Sequence, residues 1–93
     1  MPTVRIPTPL RTHTGGASEV STSGESVGEV LRSLARAHPG IEEPIFDDTG
    51  QLRRFVNIFL GEQDIRNLEG LETPVEGSET ISIIPAIAGG SRA

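Results

Sequence analysis

Apolar and polar residues alternate near the start of the chain in a way that predicts a two-stranded hairpin. Residues 3–6, with the sequence TVRI, show the alternation of a half-buried strand, and the two prolines that follow end it. Residues 13–16, with the sequence HTGG, then predict a loop with a turn at the glycines. Residues 17–23, centred on Val20, can return as a second strand, so that the two strands pair as a hairpin.

A helix pattern follows the hairpin. Ser26 and Glu29 have the spacing of a capping box, in which the serine hydroxyl accepts a hydrogen bond from the Glu29 N–H and the carboxylate reaches back. The Pro-Gly pair at residues 39–40 ends the helix, and residues 41–46 predict a further short helical turn. One apolar stripe at helical spacing consists of Val27, Val30, Leu31, Leu34 and Ala35.

Three more strands are predicted in the second half of the chain. The strongest covers residues 53–60, a short one covers residues 62–66 around Ile65, and the last covers residues 80–86. The segment between the last two strands, residues 67–77, is mostly loop, in which we expect Leu68 and Leu71 to be tucked inward.

The order of these elements predicts an α+β fold of the β-grasp (ubiquitin-like) type. A hairpin, one helix and further strands form a sheet with one covered face, and the right-handed crossover rule lets the helix lie across it. The last strand can then pair beside the first. We expect a mixed sheet of four to five strands with one main helix across one face. This domain would cover residues 1–86, and a flexible tail would cover residues 87–93.

The two strongest strands carry apolar residues on both faces, although a single helix can cover only one face. We expect Phe55, Phe59 and Ile84 to lie on the open face and to dock a partner protein, since exposed apolar patches often mark such surfaces. The alternative is that loops cover them or that they are singly scattered. The helix side is assigned Val56, Ile58, Leu60, Ile81 and Ile83.

Composition narrows the classes of function. A chain of 93 residues forms one domain with a modest core and little room for a deep catalytic cavity. The net charge of −5, without lysine or a basic cluster, argues against binding to nucleic acid or to anionic membranes. Cysteine is absent, which excludes disulfides and thiolate catalysis, and no apolar run could span a bilayer. We therefore expect a soluble cytoplasmic protein.

The Gly89-Gly90 pair is the part of the sequence with chemical meaning. Because glycine has no side chain, this strip is thin enough to enter a narrow channel of another enzyme. A carboxylate delivered there could attack the α-phosphate of ATP to give an acyl-adenylate. A sulfur nucleophile would turn that adenylate into a thiocarboxylate, and an amine would turn it into an amide. Neither product needs a catalytic residue on this chain, so we expect that the chain is not itself an enzyme. The alternative for the di-glycine pair is a frayed chain end without function.

Four segments carry a family resemblance: IPTPLR at residues 6–11, HTGG at 13–16, RFVNIF at 54–59 and ISIIPAIAGG at 81–90. Together they resemble the MoaD/ThiS sulfur carriers, and most closely the CysO-type actinobacterial branch of that family. The resemblance implies that a MoeB/ThiF-type adenylyltransferase activates Gly90, which then becomes a thiocarboxylate, with Ala88 and Gly89 as the tail. In the CysO branch the sulfur goes to cysteine through a PLP-dependent synthase; other acceptor enzymes serve other sulfur-containing metabolites.

The resemblance also implies that this chain binds no cofactor or metal. ATP and magnesium belong to the activating enzyme. The chain departs from the family pattern because it continues after Gly90 with the residues SRA. A JAMM-type zinc peptidase, which trims such carriers in the family, would have to remove residues 91–93. The alternatives are an expression scar or an unprocessed vestige.

Two other functions remain open. A ubiquitin-like modifier would be joined through Gly90 to lysines of target proteins, with the same activated end. A plain interaction module would have an inert tail.

Three other signals favour structural roles. Residues 24–28 match the G-x-S-x-G nucleophile elbow, but a helix cap fully explains Ser26. His13 and His38 are too few and too isolated to hold a metal. The Asp-Asp pair at residues 47–48 is expected to form a turn.

Overall fold

The structure, a computed structural model that describes residues 1–85, confirms the hairpin at the start of the chain. β1 covers Thr3–Arg5 and β2 covers Glu19–Ser21. The two strands pair antiparallel, with Val4 opposite Val20. Val4 is the inward-facing residue of β1 and is fully buried, as the alternation predicts.

Three further strands complete one mixed sheet. β3 covers Val56–Leu60, β4 covers Gln63–Asp64 and β5 covers Thr80–Pro85. The strand order is β2-β1-β5-β3-β4, so β5 lies in the centre of the sheet. It runs parallel to β1 and antiparallel to β3, which confirms the expected pairing of the last strand beside the first.

The main helix, α1, covers Val27–Ala37, and its start follows the capping box. The Ser26 hydroxyl accepts a hydrogen bond of 3.2 Å from the Glu29 N–H. The Glu29 carboxylate accepts one of 3.0 Å from the Glu25 N–H, one residue before the cap, so both ends of the box are satisfied. The predicted short helical turn is present as α2, Glu42–Ile45.

The core lies between α1 and one face of the sheet. Every residue of the predicted apolar stripe of α1 is buried, and the stripe belongs to the same hydrophobic cluster as the inward residues of β1, β3 and β5. This burial of aliphatic surface is the main favourable contribution to folding. The predicted helix-side residues Val56, Ile58, Ile81 and Ile83 are buried, and Leu60 is half-buried against them.

The loop predicted after the first strand is wrong in part, because Thr8–Thr14 form a 3-10 helix. The prolines that end β1 also favour a helical start, since a proline lacks only an N–H that would be unpaired there. The segment buries Leu10 in the core. It ends at Gly15 and Gly16, whose φ angles of 68° and 90° suit glycine, so the turn itself is confirmed.

Two predicted strand boundaries are also wrong. Residues 53–55 are not part of β3, because the Val56 N–H donates a hydrogen bond of 3.0 Å to the Arg53 carbonyl and closes a turn. Ile65 is not in a strand but begins a 3-10 helix. That helix is capped by Asp64, whose carboxylate accepts a hydrogen bond of 2.8 Å from the Arg66 N–H.

The expectation that Leu68 points inward is wrong. Its side chain is 39% exposed, while Ile65 in the same segment is buried. The same expectation is confirmed for Leu71, which is partly buried and packs against the core. Ile65, Leu71 and Val75 supply the inward contacts of this segment, and Leu68 lies between them on the surface.

Candidate functional site

The predicted reactive residue Gly90 lies, with Ala88 and Gly89, outside the described residues, as does the predicted domain boundary. The structure does place β5, the strand that precedes this tail in the chain. Pro85, the last described residue, is paired with Val56, the first residue of β3. Since β5 is parallel to β1, Pro85 lies at the end of the sheet where β1 ends and β3 begins, and we call this position the base of the tail.

Two of the three predicted docking residues lie on the open face of the sheet. Phe59 pairs with Ser82 and is half-buried, and Ile84 pairs with Asn57 and is 47% exposed. The register makes Phe59 and Ile84 diagonal neighbours, about 7–8 Å apart between strands. The open face therefore presents both side chains close to the base of the tail.

The third predicted docking residue, Phe55, is not on a strand. It lies in the turn that precedes β3 and is 48% exposed. The expectation that it continues the alternation of β3 is therefore wrong, since the turn interrupts the pleat. Its position still brings it beside the base of the tail, because the next residue, Val56, pairs with Pro85.

Arg66, which the sequence did not single out, links the start of β3 to the turn that precedes it. The Arg66 guanidinium donates a hydrogen bond of 2.6 Å to the Asn57 side-chain oxygen. It donates two more to backbone carbonyls, at 2.9 Å to Val56 and at 3.1 Å to Arg54. Arg66 therefore connects the first residues of β3 to the turn that carries Phe55.

The β3–β4 hairpin turns the chain back toward the start of β3. Leu60 pairs with Gln63, which leaves a two-residue connection that includes Gly61 at a φ of 64°. The strand pairing ends at Phe59–Asp64, and Arg66 follows in the 3-10 helix that begins at Ile65. Strand alternation therefore carries no signal for the contact between Arg66 and Asn57, because the strand stops before Arg66.

A polar groove lies beside the edge of β5 that faces β1, opposite the edge that pairs with β3. Because β1 ends opposite Ser82, no strand of the described part of the chain lies beside the last residues of β5 there. The groove is lined in part by Arg5, Arg11 and Glu19. Arg5 and Glu19 form an exposed ion pair of 3.9 Å, and the Arg11 Nε–H donates a hydrogen bond of 3.0 Å to the Ile6 carbonyl. The base of the tail thus has apolar residues on one side and charged residues on the other.

The remaining motifs have structural explanations. Ser26 is the cap of α1, as expected. Asp47 forms a turn, in which its carboxylate accepts hydrogen bonds from the Thr49 hydroxyl at 2.6 Å and from the Gln51 N–H at 3.1 Å. These bonds hold the pKa of Asp47 below its ordinary value, because they favour the charged carboxylate. Within residues 1–85 there is no group of three or more His, Cys, Asp or Glu side chains that could hold a metal ion.

No helix among the described residues has the length and apolar character to cross a membrane.

Comparison with known proteins places this fold and tail in a family. The sequence model of the ThiS family matches residues 4–90. The chain belongs to the ThiS family. Among the ThiS-family relatives, the sulfur carrier protein CysO of Mycobacterium tuberculosis is 44% identical over 90 residues, which cover 95% of this chain and 97% of CysO. The expected membership among ubiquitin-like sulfur carriers is therefore confirmed.

Solved structures confirm the β-grasp fold of this ThiS-family chain. CysO of Amycolatopsis orientalis, solved in a BexX/CysO complex, is 40% identical and superimposes with a TM-score of 0.89, covering 97% of this chain and 100% of that one. The small archaeal modifier protein 1 of Methanosarcina acetivorans is 36% identical, with a TM-score of 0.83, covering 96% and 95% of the two chains. This chain is thus similar both to a protein named as a sulfur carrier and to a protein named as a modifier.

Proposed function

We propose that this chain carries sulfur as a thiocarboxylate on Gly90. The observation that carries the proposal is the family match, which runs through the central strand β5 and the di-glycine and stops at Gly90. The high identity to CysO, over nearly the full length of both chains, supports a carrier rather than a catalyst. In this proposal the chain carries the reacting acyl group on its own backbone and presents it to the active sites of partner enzymes.

The chemistry begins with a trimming step. Water cleaves the amide bond between Gly90 and Ser91, and this leaves a carboxylate on Gly90 and releases residues 91–93. A JAMM-type zinc peptidase is the partner that suits this step, with its zinc held by the peptidase. Arginine at position 92 is too bulky for a channel that fits glycine, so activation must follow trimming.

Activation and sulfur loading take place on a MoeB/ThiF-type adenylyltransferase. A Gly90 carboxylate oxygen attacks the α-phosphate of ATP, the bond to pyrophosphate breaks, and an acyl-adenylate forms. A sulfur nucleophile at the oxidation level of hydrosulfide then attacks the acyl carbon and AMP leaves. ATP and magnesium are held by the partner, and this chain supplies only the acyl group. The identity to CysO makes a PLP-dependent cysteine synthase the first candidate for the sulfur acceptor.

Recognition by these partners is assigned to the docking patch, defined as Phe55, Phe59 and Ile84. Its support is positional: two of its side chains are about half-exposed, and the patch adjoins Pro85, where the tail begins. A partner that binds the patch would hold the sheet still while the tail reaches the nucleotide. Such exposed apolar side chains contribute to an interface because they lose contact with water on binding.

The test is adenylation of the trimmed chain. Residues 1–90, whose core lies within residues 1–85, are incubated with ATP, magnesium and the MoeB/ThiF-type enzyme of the same genome. We expect release of pyrophosphate and, with a sulfide source, a mass increase equal to the exchange of one oxygen for sulfur. The untrimmed chain and the trimmed Gly90→Val variant should release none. Absence of pyrophosphate from the trimmed wild-type chain would refute the proposal.

A protein modifier is the second candidate, because the chain is also similar to small archaeal modifier protein 1. The activated end is the same, and only the acceptor differs. The sequence contains no lysine, so a conjugate through a lysine must involve another protein. Bands of higher mass that react with an antibody against this chain and survive thiols on a denaturing gel would favour the modifier. If a bulky residue at Gly90 leaves cellular function unchanged, both candidates fail and the inert module remains.

A further inference from the structure

The outer edge of β3 is only partly paired. β4 has two residues, and they pair with Phe59 and Leu60 at the end of β3. Among residues 1–85, the first residues of β3, Val56 and Asn57, have no strand partner on that side. An unpaired strand edge leaves carbonyl and N–H groups without partners, and it also allows the backbone to move.

On this unpaired edge of β3, the Arg66 side chain supplies hydrogen-bond donors that a neighbouring strand would otherwise supply. A guanidinium carries several N–H donors in one rigid plane, so it can bridge neighbouring acceptors that a lysine could not reach together. All three described acceptors of Arg66 are uncharged oxygens of Arg54, Val56 and Asn57. Within residues 1–85 no carboxylate lies at salt-bridge distance from this guanidinium. The hydrogen bonds of the guanidinium among the described residues therefore all go to residues 54–57.

The two backbone acceptors bracket Phe55. The Arg54 carbonyl belongs to the peptide bond before Phe55, and the Val56 carbonyl belongs to the second peptide bond after it. From the position of these bonds we infer that Arg66 is a positioning residue for the docking patch: it holds the Phe55 turn in the arrangement that a partner recognises. This inference rests on the proposed function, because it assigns a role within the same docking surface.

The inference predicts that loss of Arg66 weakens binding to the partner enzyme and leaves the chemical step in the bound complex unchanged. Arg66 lies on the surface and its acceptors are exposed or part-buried oxygens, so water can replace the guanidinium there and the core should stay folded without it. Its loss should let the Phe55 turn sample other conformations, and the partner must then select the competent one. The reacting atoms at Gly90 are not touched, so the rate of the bound complex should stay the same.

The experiment measures adenylation of the trimmed chain, residues 1–90, by the MoeB/ThiF-type enzyme. We expect Arg66→Ala to raise the KM for the carrier about fivefold, with kcat within about twofold and the chain still folded at the assay temperature. Arg66→Lys should not restore the KM, because an ammonium cannot bridge the three acceptors. Arg36→Ala is the matched control: it removes the same charge from the exposed side of α1, far from the open face, and should leave the KM unchanged.

A double variant separates positioning from a direct contact. If Arg66 acts through Phe55, then Arg66→Ala should add less than about twofold to the KM of Phe55→Ala. Full multiplication of the two effects, or recovery of the KM by Arg66→Lys, would overturn the inference and leave Arg66 as a surface charge that the partner contacts.

The inference and the proposed function can fail separately. If the trimmed wild-type chain releases no pyrophosphate, the proposed function fails, whatever Arg66 does. The positioning role is then read from NMR of the chain alone. Arg66→Ala should shift the Phe55 ring and the Asn57 amide signals and should leave the Ile83 methyl signals in place. Unchanged Phe55 signals would overturn the inference independently.

Discussion

The two faces of β3 and β5 differ in burial although they belong to the same strands. Ile83 faces α1 and is 3% exposed, whereas its neighbour Ile84 faces away and is 47% exposed. Val56 and Ile58 are buried in the same way, while Asn57 between them is not. Because successive side chains of a strand point to opposite faces, one strand can serve stability with one set of residues and recognition with the other.

The largest effect should come from the covered face. Ile83→Ala removes a buried side chain and leaves a cavity, so we expect a loss of about 3 kcal/mol in the free energy of unfolding. Ile84→Ala is the matched control, with the same residue type on the same strand, and should cost less than about 1 kcal/mol. Urea unfolding measures both. Equal losses from the two variants would mean that the faces do not differ in their role.

The second effect should come from the open face, with recognition as the readout. Phe55→Ala and Ile84→Ala should each raise the KM for adenylation of the trimmed chain about fivefold, since each removes an anchor from the docking patch. Neither should change kcat. Leu68→Ala removes an exposed apolar side chain outside the patch and should have no effect on the KM. An equal rise in all three variants would show that general apolar exposure, not the patch, drives binding.

The smallest effect should come from the Asp47 turn, which belongs to neither face. Hydrogen bonds from Thr49 and Gln51 lower the pKa of the folded-state carboxylate below the ordinary 3.8, so the folded state binds the proton more weakly than the unfolded state. Asp47 should therefore add stability above about pH 3.8, and this contribution should disappear as the pH falls through the lower folded pKa.

The Asp47 effect is measured as the difference in urea midpoint between the wild type and Asp47→Asn. That difference should shrink on acidification below pH 3.8. Asp48→Asn is the matched control, because it removes a neighbouring carboxylate that accepts no hydrogen bond among residues 1–85. Neither variant should alter the KM for adenylation. A pH-independent difference for Asp47→Asn would contradict the assignment.

Local patterns predicted the helix and the division of residues between the faces. The capping box at Ser26 and the stripe of α1 depend on neighbours within one helical turn, and the burial of Ile81 and Ile83 depends on simple alternation. The same reasoning failed at Phe55, because a turn closed by Arg53 and Val56 stops the alternation earlier than the apolar pattern does. It also failed at Leu68, where an apolar residue lies on the surface.

The sequence by itself determined the order of elements, the inward residues and the presence of a thin di-glycine tail, because periodicity and residue size are local properties. Only the tertiary structure decided that β5 lies in the centre of the sheet, that the residues of the proposed docking patch lie near Pro85, and that Arg66 binds the turn before β3. These relations join residues that are distant in the chain, and they arise from strand pairing and register, which no short window of sequence contains.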